Sequence, residues 1–325
     1  MKIFQSKKSW YLMMVSFVLL AVVSLVGLCL AAGPIRLVMV GSSSGGTAHL
    51  FFAAAAPLLN KYVPGMEASA SSGGTTENVP LLERGEIKVA CVNPGAGVKL
   101  YGTDWLKKTK IRTIFTMFHT PYHVLVPKNS EIKSFSDLKG KRVSVGQKGG
   151  GESYLFLRIL EVAGLKESDV KMEFLGKGEA INAYKDGAVD AIAYLSPLPN
   201  PGVMELGTHP RGVRVVGLAP EEIQKLIAKY PEYSAYTIEK SWYAHVLKEA
   251  SDVRSFTEWY YVACRDDFAE DVAYQIAKVL EEHHDELVTA FKAANSSSAL
   301  ATAKDPGFQL HPGAARYLKE KGLIK

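Results

Sequence analysis

Three loops in this chain combine glycine with hydroxyl and amide side chains at spacings suited to holding a small anion. They are Gly41-Ser42-Ser43-Ser44-Gly45-Gly46-Thr47, Gly73-Gly74-Thr75-Thr76-Glu77-Asn78 and Gly146-Gln147-Lys148-Gly149-Gly150-Gly151-Glu152-Ser153. Each leads into a segment with helical patterning. A helix start carries unpaired N–H groups and a partial positive charge, which favour a carboxylate or phosphate. Glycine there lets a ligand approach the backbone closely. Ser43, Ser44, Gly46 and Thr47 are therefore expected to donate to a ligand anion. Thr75, Asn78 and Asn93 would complete one wall, and Gln147, Gly150, Gly151 and Ser153 would close from a second. Tyr194, Trp242 and Tyr243 are candidate aromatics of the same cleft, each explained equally well by burial in a core.

Other constellations reach less far. Gly41-Ser42-Ser43-Ser44-Gly45 also fits the G-x-S-x-G nucleophile elbow, which would make Ser43 an esterase nucleophile paired with a histidine such as His311. The elbow would stand on the first strand of the body, with no earlier loop to build an oxyanion hole, and this argues against it. His119 and His123 are four residues apart, but Pro121 lies between them in a strand-like run, and no carboxylate or cysteine is near in sequence. No metal ligand, cofactor or catalytic residue is expected. His283 falls on the apolar stripe of a long helical segment, and His284 beside it is expected to be solvated.

These loops need strands and helices to place them. Residues 35–40 are β-rich, 48–63 helical, 66–71 a strand, 76–84 a short helix and 88–92 a strand. Residues 111–126 read as one long bent strand or as two. The pattern then repeats: strand 142–145, helix 153–163, strand 172–175, helix 179–185 and strand 188–194. Strand, glycine loop, helix, strand is the order of a parallel sheet with helical crossovers. A late strand at 260–264 precedes one long helix over 268–294, with apolar residues at helical period. The expected fold is α/β with two lobes, residues 33–130 with 255–325 forming the first and 131–254 the second. A cleft between lobes is a favoured ligand site.

The chain has 325 residues, 47% of them apolar and 22% charged, which fits one or two globular domains and excludes disordered and fibrous classes. Its net charge is +5, and from Pro34 onward 35 basic against 33 acidic residues leave +2. No nucleic-acid partner is expected of so neutral a body. Lys2, Lys7 and Lys8 precede an uncharged apolar run over residues 10–30, followed by Ala31, Ala32 and Gly33. Residues 1–32 read as an export signal cleaved near Ala31 or Ala32, or, if retained, as a membrane anchor. Either places the body outside the cytoplasmic membrane, in the periplasm. Cys91 and Cys264 lie in apolar strand-like runs and are expected as buried thiols, with a disulfide as the alternative.

In order and spacing, several motifs resemble those of TAXI-type solute receptors of TRAP transporters, over about residues 35–323. They are the loop from Gly41 to Thr47, the run Ser72 to Asn78, Asp137-Leu138-Lys139-Gly140-Lys141-Arg142, Asp186-Gly187-Ala188-Val189-Asp190, Lys229-Tyr230-Pro231 and Leu310-His311-Pro312-Gly313. The resemblance implies a type II periplasmic-binding-protein fold, each lobe a mainly parallel sheet flanked by helices. It implies capture of a small polar solute, a carboxylate or amino acid, and its delivery to TRAP membrane permease subunits driven by an ion gradient. The chain departs from that family at Gly149-Gly150-Gly151-Glu152-Ser153, where the family has Gly-Ser-Gly-Thr-Glu. Glu152 would repel a carboxylate held nearby, unless it points away or pairs with Lys148. A membrane-anchored ligand sensor on the same fold is the alternative function.

Overall fold

The computed structural model describes residues 33–42, 44–148, 151–247 and 251–325. Residues 1–32, on which the signal or anchor reading falls, lie outside them, as do Ser43 and Gly150. Among the described residues no helix is long and apolar enough to cross a membrane. The chain runs β1 (Ile35–Val40), α1 (Thr47–Tyr62), β2 (Met66–Ser71), α2 (Thr75–Glu83), β3 (Val89–Val92), α3 (Pro94–Tyr101), α4 (Trp105–Lys108) and β4 (Ile111–Val126). It continues with β5 (Arg142–Ser144), α5 (Gly151–Val162), β6 (Lys171–Glu173), α6 (Lys177–Lys185), β7 (Ala191–Leu195), α7 (Pro201–Gly207), β8 (Arg214–Val216), α8 (Pro220–Lys229) and β9 (Ser234–Ile238). Last come β10 (Val253–Arg265), α9 (Glu270–Glu282), α10 (His284–Ala290), α11 (Ala299–Lys304) and α12 (Pro312–Glu320).

Local sequence explains the elements that face the cleft. In α1, Ala48, Phe51, Phe52, Ala55, Leu58 and Leu59 recur at helical spacing and are buried. Asn93 caps α3, its side chain accepting from the Ala96 N–H, and Pro94 sits in the first turn, where its missing N–H costs nothing.

The strands run in the order β2-β1-β3-β10-β4-β7-β5-β6. β1 pairs in parallel with β2 and β3, and β5 in parallel with β6 and β7. Between these blocks the two longest strands lie antiparallel, so each lobe carries a mixed sheet. β4 is the single bent strand: up to Pro121 it pairs with β10, and from Tyr122 with β7 and β8. β10 likewise pairs with β9 through Val253–Thr257 and then with β4 and β3. One apolar core gathers Phe51, Phe52, Phe115 and Phe118 with Ile276 and Leu280 of α9. Another gathers Tyr122, Phe156, Ile159, Leu226 and Phe256.

Three expectations change. The late strand begins at Val253, well before residue 260, because Ser255, Thr257 and Glu258 break its apolar pattern yet are buried. The long helix is broken at His283, whose ring stacks on Tyr62 at 3.4 Å between centroids. His284 is not simply solvated, since its Nε2 donates to the Ala294 carbonyl at 3.0 Å.

Cys91 and Cys264 are buried free thiols in the same core, and burial pushes both thiols up. Both are expected to resist a maleimide in the native protein and to react fully once it is unfolded, read by intact mass.

Candidate functional site

A cleft of about 770 Å³ is lined from five helix starts and a floor. The α1 start contributes Ser42, Thr47 and Ala48, and the α2 start contributes Gly73 through Glu77. Asn93, Gly95, Ala96 and Lys99 come from α3 and the residue before it. Gln147, Glu152, Tyr154 and Leu155 come from α5 and the loop before it, and Gly176 and Lys177 from the start of α6. Phe118 and Thr120 of β4 and Glu258 and Tyr260 of β10 form the floor, so the strands that join the two lobes also underlie the site.

The helix starts set the electrostatics. Gly46 caps α1 and Gly74 caps α2, and glycine offers no side chain to either first turn; at α1 the His49 N–H is taken instead by Ser42 Oγ at 3.4 Å. The N–H groups of Thr47 and Ala48, and those of Thr75 and Thr76, have no intrahelical acceptor and can serve an anion. Lys177 Nζ lies 3.3 Å from Glu152 Oε1 and donates to the Leu195 carbonyl at 3.1 Å. Lys99 Nζ lies 5.8 Å from the centre of the Tyr154 ring, joining α3 to α5 across the cleft.

Glu258 is the buried acid of the floor, 7% exposed. Burial pushes its carboxyl up to about 7; the Tyr260 hydroxyl, donating to Oε2 at 3.3 Å, works against this, and the Glu232 charge adds to it. Its Oε1 lies against Gly95, where a Cβ would stand 2.4 Å away, so a side chain there would push the carboxylate aside.

The structure sorts the residues singled out from sequence. Thr47, Thr75, Asn93 and Gln147 line the cleft. Ser44 is exposed and does not line it, and Gly46 acts as the cap of α1. Ser43 and Gly150 are outside the described residues, and Gly151 is the first residue of α5. Asn78 is corrected to a structural role: fully buried, it donates to the carbonyls of Gly41 and Cys91, both at 2.9 Å, tying the end of β1 to β3. Ser153 is buried and donates to the Gln147 carbonyl at 3.1 Å, which shapes the loop.

Tyr194 is likewise corrected. Its hydroxyl donates at 2.8 Å to Asn200 Oδ1, the group that caps α7. Tyr243 is buried and donates to His123 Nε2 at 3.0 Å, while Trp242 packs on an apolar core. Glu152 pairs with Lys177, not with Lys148.

His311, the histidine of the esterase reading, caps α12 through Nδ1 and does not line the cleft. His119 Nδ1 lies 3.2 Å from Thr257 Oγ1, and burial holds both the His119 and His123 imidazoles down to about 4. No group of three His, Cys, Asp or Glu among the described residues is placed to hold a metal ion.

Sequence reading missed Glu258, Lys99, Lys177 and Tyr154. For Glu258 a signal existed: a lone acid inside the run Phe256-Thr257-Glu258-Trp259-Tyr260-Tyr261.

Two lobes joined by long shared strands, with a cleft ringed by helix starts, define an α/β periplasmic-binding-protein fold of type II. Residues 40–322 match the model of the NMT1-like family, and the chain belongs to that family. A putative aliphatic sulfonates-binding protein of Escherichia coli (strain K12) is 39% identical over 86 residues, 26% of this chain and 27% of that protein. The match thus spans about a quarter of that relative's length.

Among solved structures, XAC2383 from Xanthomonas citri bound to ATP has a TM-score of 0.50 at 14% identity, covering 88% of this chain and 94% of that one. The periplasmic aliphatic sulphonate binding protein SsuA from Escherichia coli has a TM-score of 0.49 at 20% identity, with coverages of 88% and 84%. At such identity the XAC2383 likeness speaks for the fold alone. The family match overturns the resemblance to TAXI receptors, and the TRAP permease expected as partner falls with it. The shared motifs were glycine-rich helix starts and tight turns, which many proteins of this fold need for the same physical reasons.

Proposed function

We propose that this protein is an extracytoplasmic solute-binding protein that captures a small organic anion of the sulfonate class and hands it to the permease of an ABC-type importer. The observation that carries this reading is the meeting of two glycine-capped helix starts, those of α1 and α2, at one cleft. A sulfonate has three equivalent acceptor oxygens and a permanent charge, so it accepts from both helix starts at once. The name of the Escherichia coli relative, an aliphatic sulfonate binder, favours sulfonate over carboxylate. Thr47 and Thr75 add hydroxyl donors, with Asn93 on the same wall and Gln147 opposite. Residues 33–130 with 255–325 and residues 131–254 are the two lobes in this reading, hinged on β4 and β10. Ligand contacts to both favour the closed form by differential affinity, and the permease reads that form.

Isothermal titration with ethane- to hexanesulfonates and the matching carboxylates tests it. Sulfonates are expected to bind and to raise the melting temperature. Thr75→Val is expected to weaken binding about tenfold or more, the scale of one hydrogen bond to a charged group. If no sulfonate and no carboxylate gives heat or a thermal shift, the reading is wrong.

A further inference from the structure

The cleft that receives the anion also presents three carboxylates, Glu77, Glu152 and Glu258. Two are accounted for. Glu152 pairs with Lys177 at 3.3 Å. Glu77 is exposed in the first turn of α2, where the helix dipole favours an acid.

Glu258 is different. It is more than nine-tenths buried in the floor, its Oε2 takes only a 3.3 Å bond from Tyr260, and among the described residues none donates to Oε1 and none forms an ion pair with it. An acid so placed is costly to ionise until a cation arrives. Its surroundings suit one: the rings of Phe118 and Tyr260, stacked 5.0 Å apart, line the same floor, and aromatic faces attract cations.

We infer that Glu258 receives a protonated nitrogen of the ligand, so that the solute is a small zwitterion with its anionic head at the starts of α1 and α2 and its ammonium group on the cleft floor. This rests on the anion reading above and narrows it.

The test is titration of 2-aminoethanesulfonate against ethanesulfonate, and of 3-aminopropanoate against propanoate, at pH 8, in the wild type and in Glu258→Gln. The amino compound of at least one pair is expected to bind the wild type about tenfold or more tighter than its partner. In Glu258→Gln that ratio is expected to fall to within about threefold, by loss of the charge–charge contact. Equal affinity within each pair in the wild type overturns the inference, whatever the variant does. Preference kept in a folded Glu258→Gln, checked by circular dichroism, overturns the role of this residue. If none of the four compounds binds the wild type and the longer alkanesulfonates also give no heat, it is the anion reading that fails.

Discussion

Arg158→Met is expected to lower stability by about 3–5 kcal/mol, the usual result of breaking a buried ion pair from one side. Arg158 stands on α5 with its side chain 8% exposed, and Glu232, its partner through Nη1, is 1% exposed. The guanidinium also donates to the hydroxyls of Tyr233 at 2.9 Å and Tyr154 at 2.7 Å, and it lies over the rings of Tyr154 and Tyr230 at 4.3 and 4.2 Å. Among the described residues Glu232 has no second cationic partner, and none donates a hydrogen bond to its buried Oε2. Removing the arginine strands that carboxylate in the interior. Urea unfolding measures the loss. Adding Glu232→Met to Arg158→Met is expected to restore most of it, since the stranded charge is then gone. A single variant within about 1 kcal/mol of wild type would contradict the buried-pair account. Tyr154 and Tyr233 line the cleft, so the single variant is also expected to bind ligand more weakly.

Glu258→Gln is expected to gain stability relative to wild type as pH rises. In the folded protein this carboxyl is held up to about 7, against an ordinary 4.5. Between those values the unfolded chain has released the proton while the folded one keeps it. Stability of the wild type therefore falls across pH 4.5 to 7 and levels off above. The difference corresponds to about 3 kcal/mol at 1.36 kcal/mol for each unit. Glutamine cannot ionise and lacks this dependence. Urea unfolding of both proteins at pH 4.5 and pH 8 isolates the effect, because groups elsewhere cancel in the difference. A gap of the same size at both pH values would mean that Glu258 titrates as an ordinary carboxyl.

Much of the architecture could be read from local pattern. The strand, glycine loop and helix at Ile35–Val40, Gly41–Thr47 and α1 follow from β-branched residues, then residues permissive of turns, then helical apolar spacing. Residues of all three glycine loops, Thr47, Thr75 and Gln147 among them, line one cleft, as strands in parallel send their following loops to one side. What escaped reading depended on contacts distant in sequence. The start of β10 was hidden because Ser255 and Glu258 look solvent-facing, and only pairing with β9 and β4 makes them strand residues. Asn78 looked like a ligand group because an amide at a helix start suits either a solute or a backbone carbonyl. The fold decides, bringing Gly41 and Cys91 within its reach. The family was misread because the recognised motifs answer to backbone geometry, which unrelated ligand specificities share.

The long antiparallel pair β4 and β10 also governs the order in which the molecule can form. β3 borders β1 on one side and β10 on the other, so the sheet begun by β1, β2 and β3 stays open along one edge until Val253–Arg265 has left the ribosome. An unpaired strand edge adheres to other chains, so for most of synthesis the nascent protein presents a surface that a chaperone must shield.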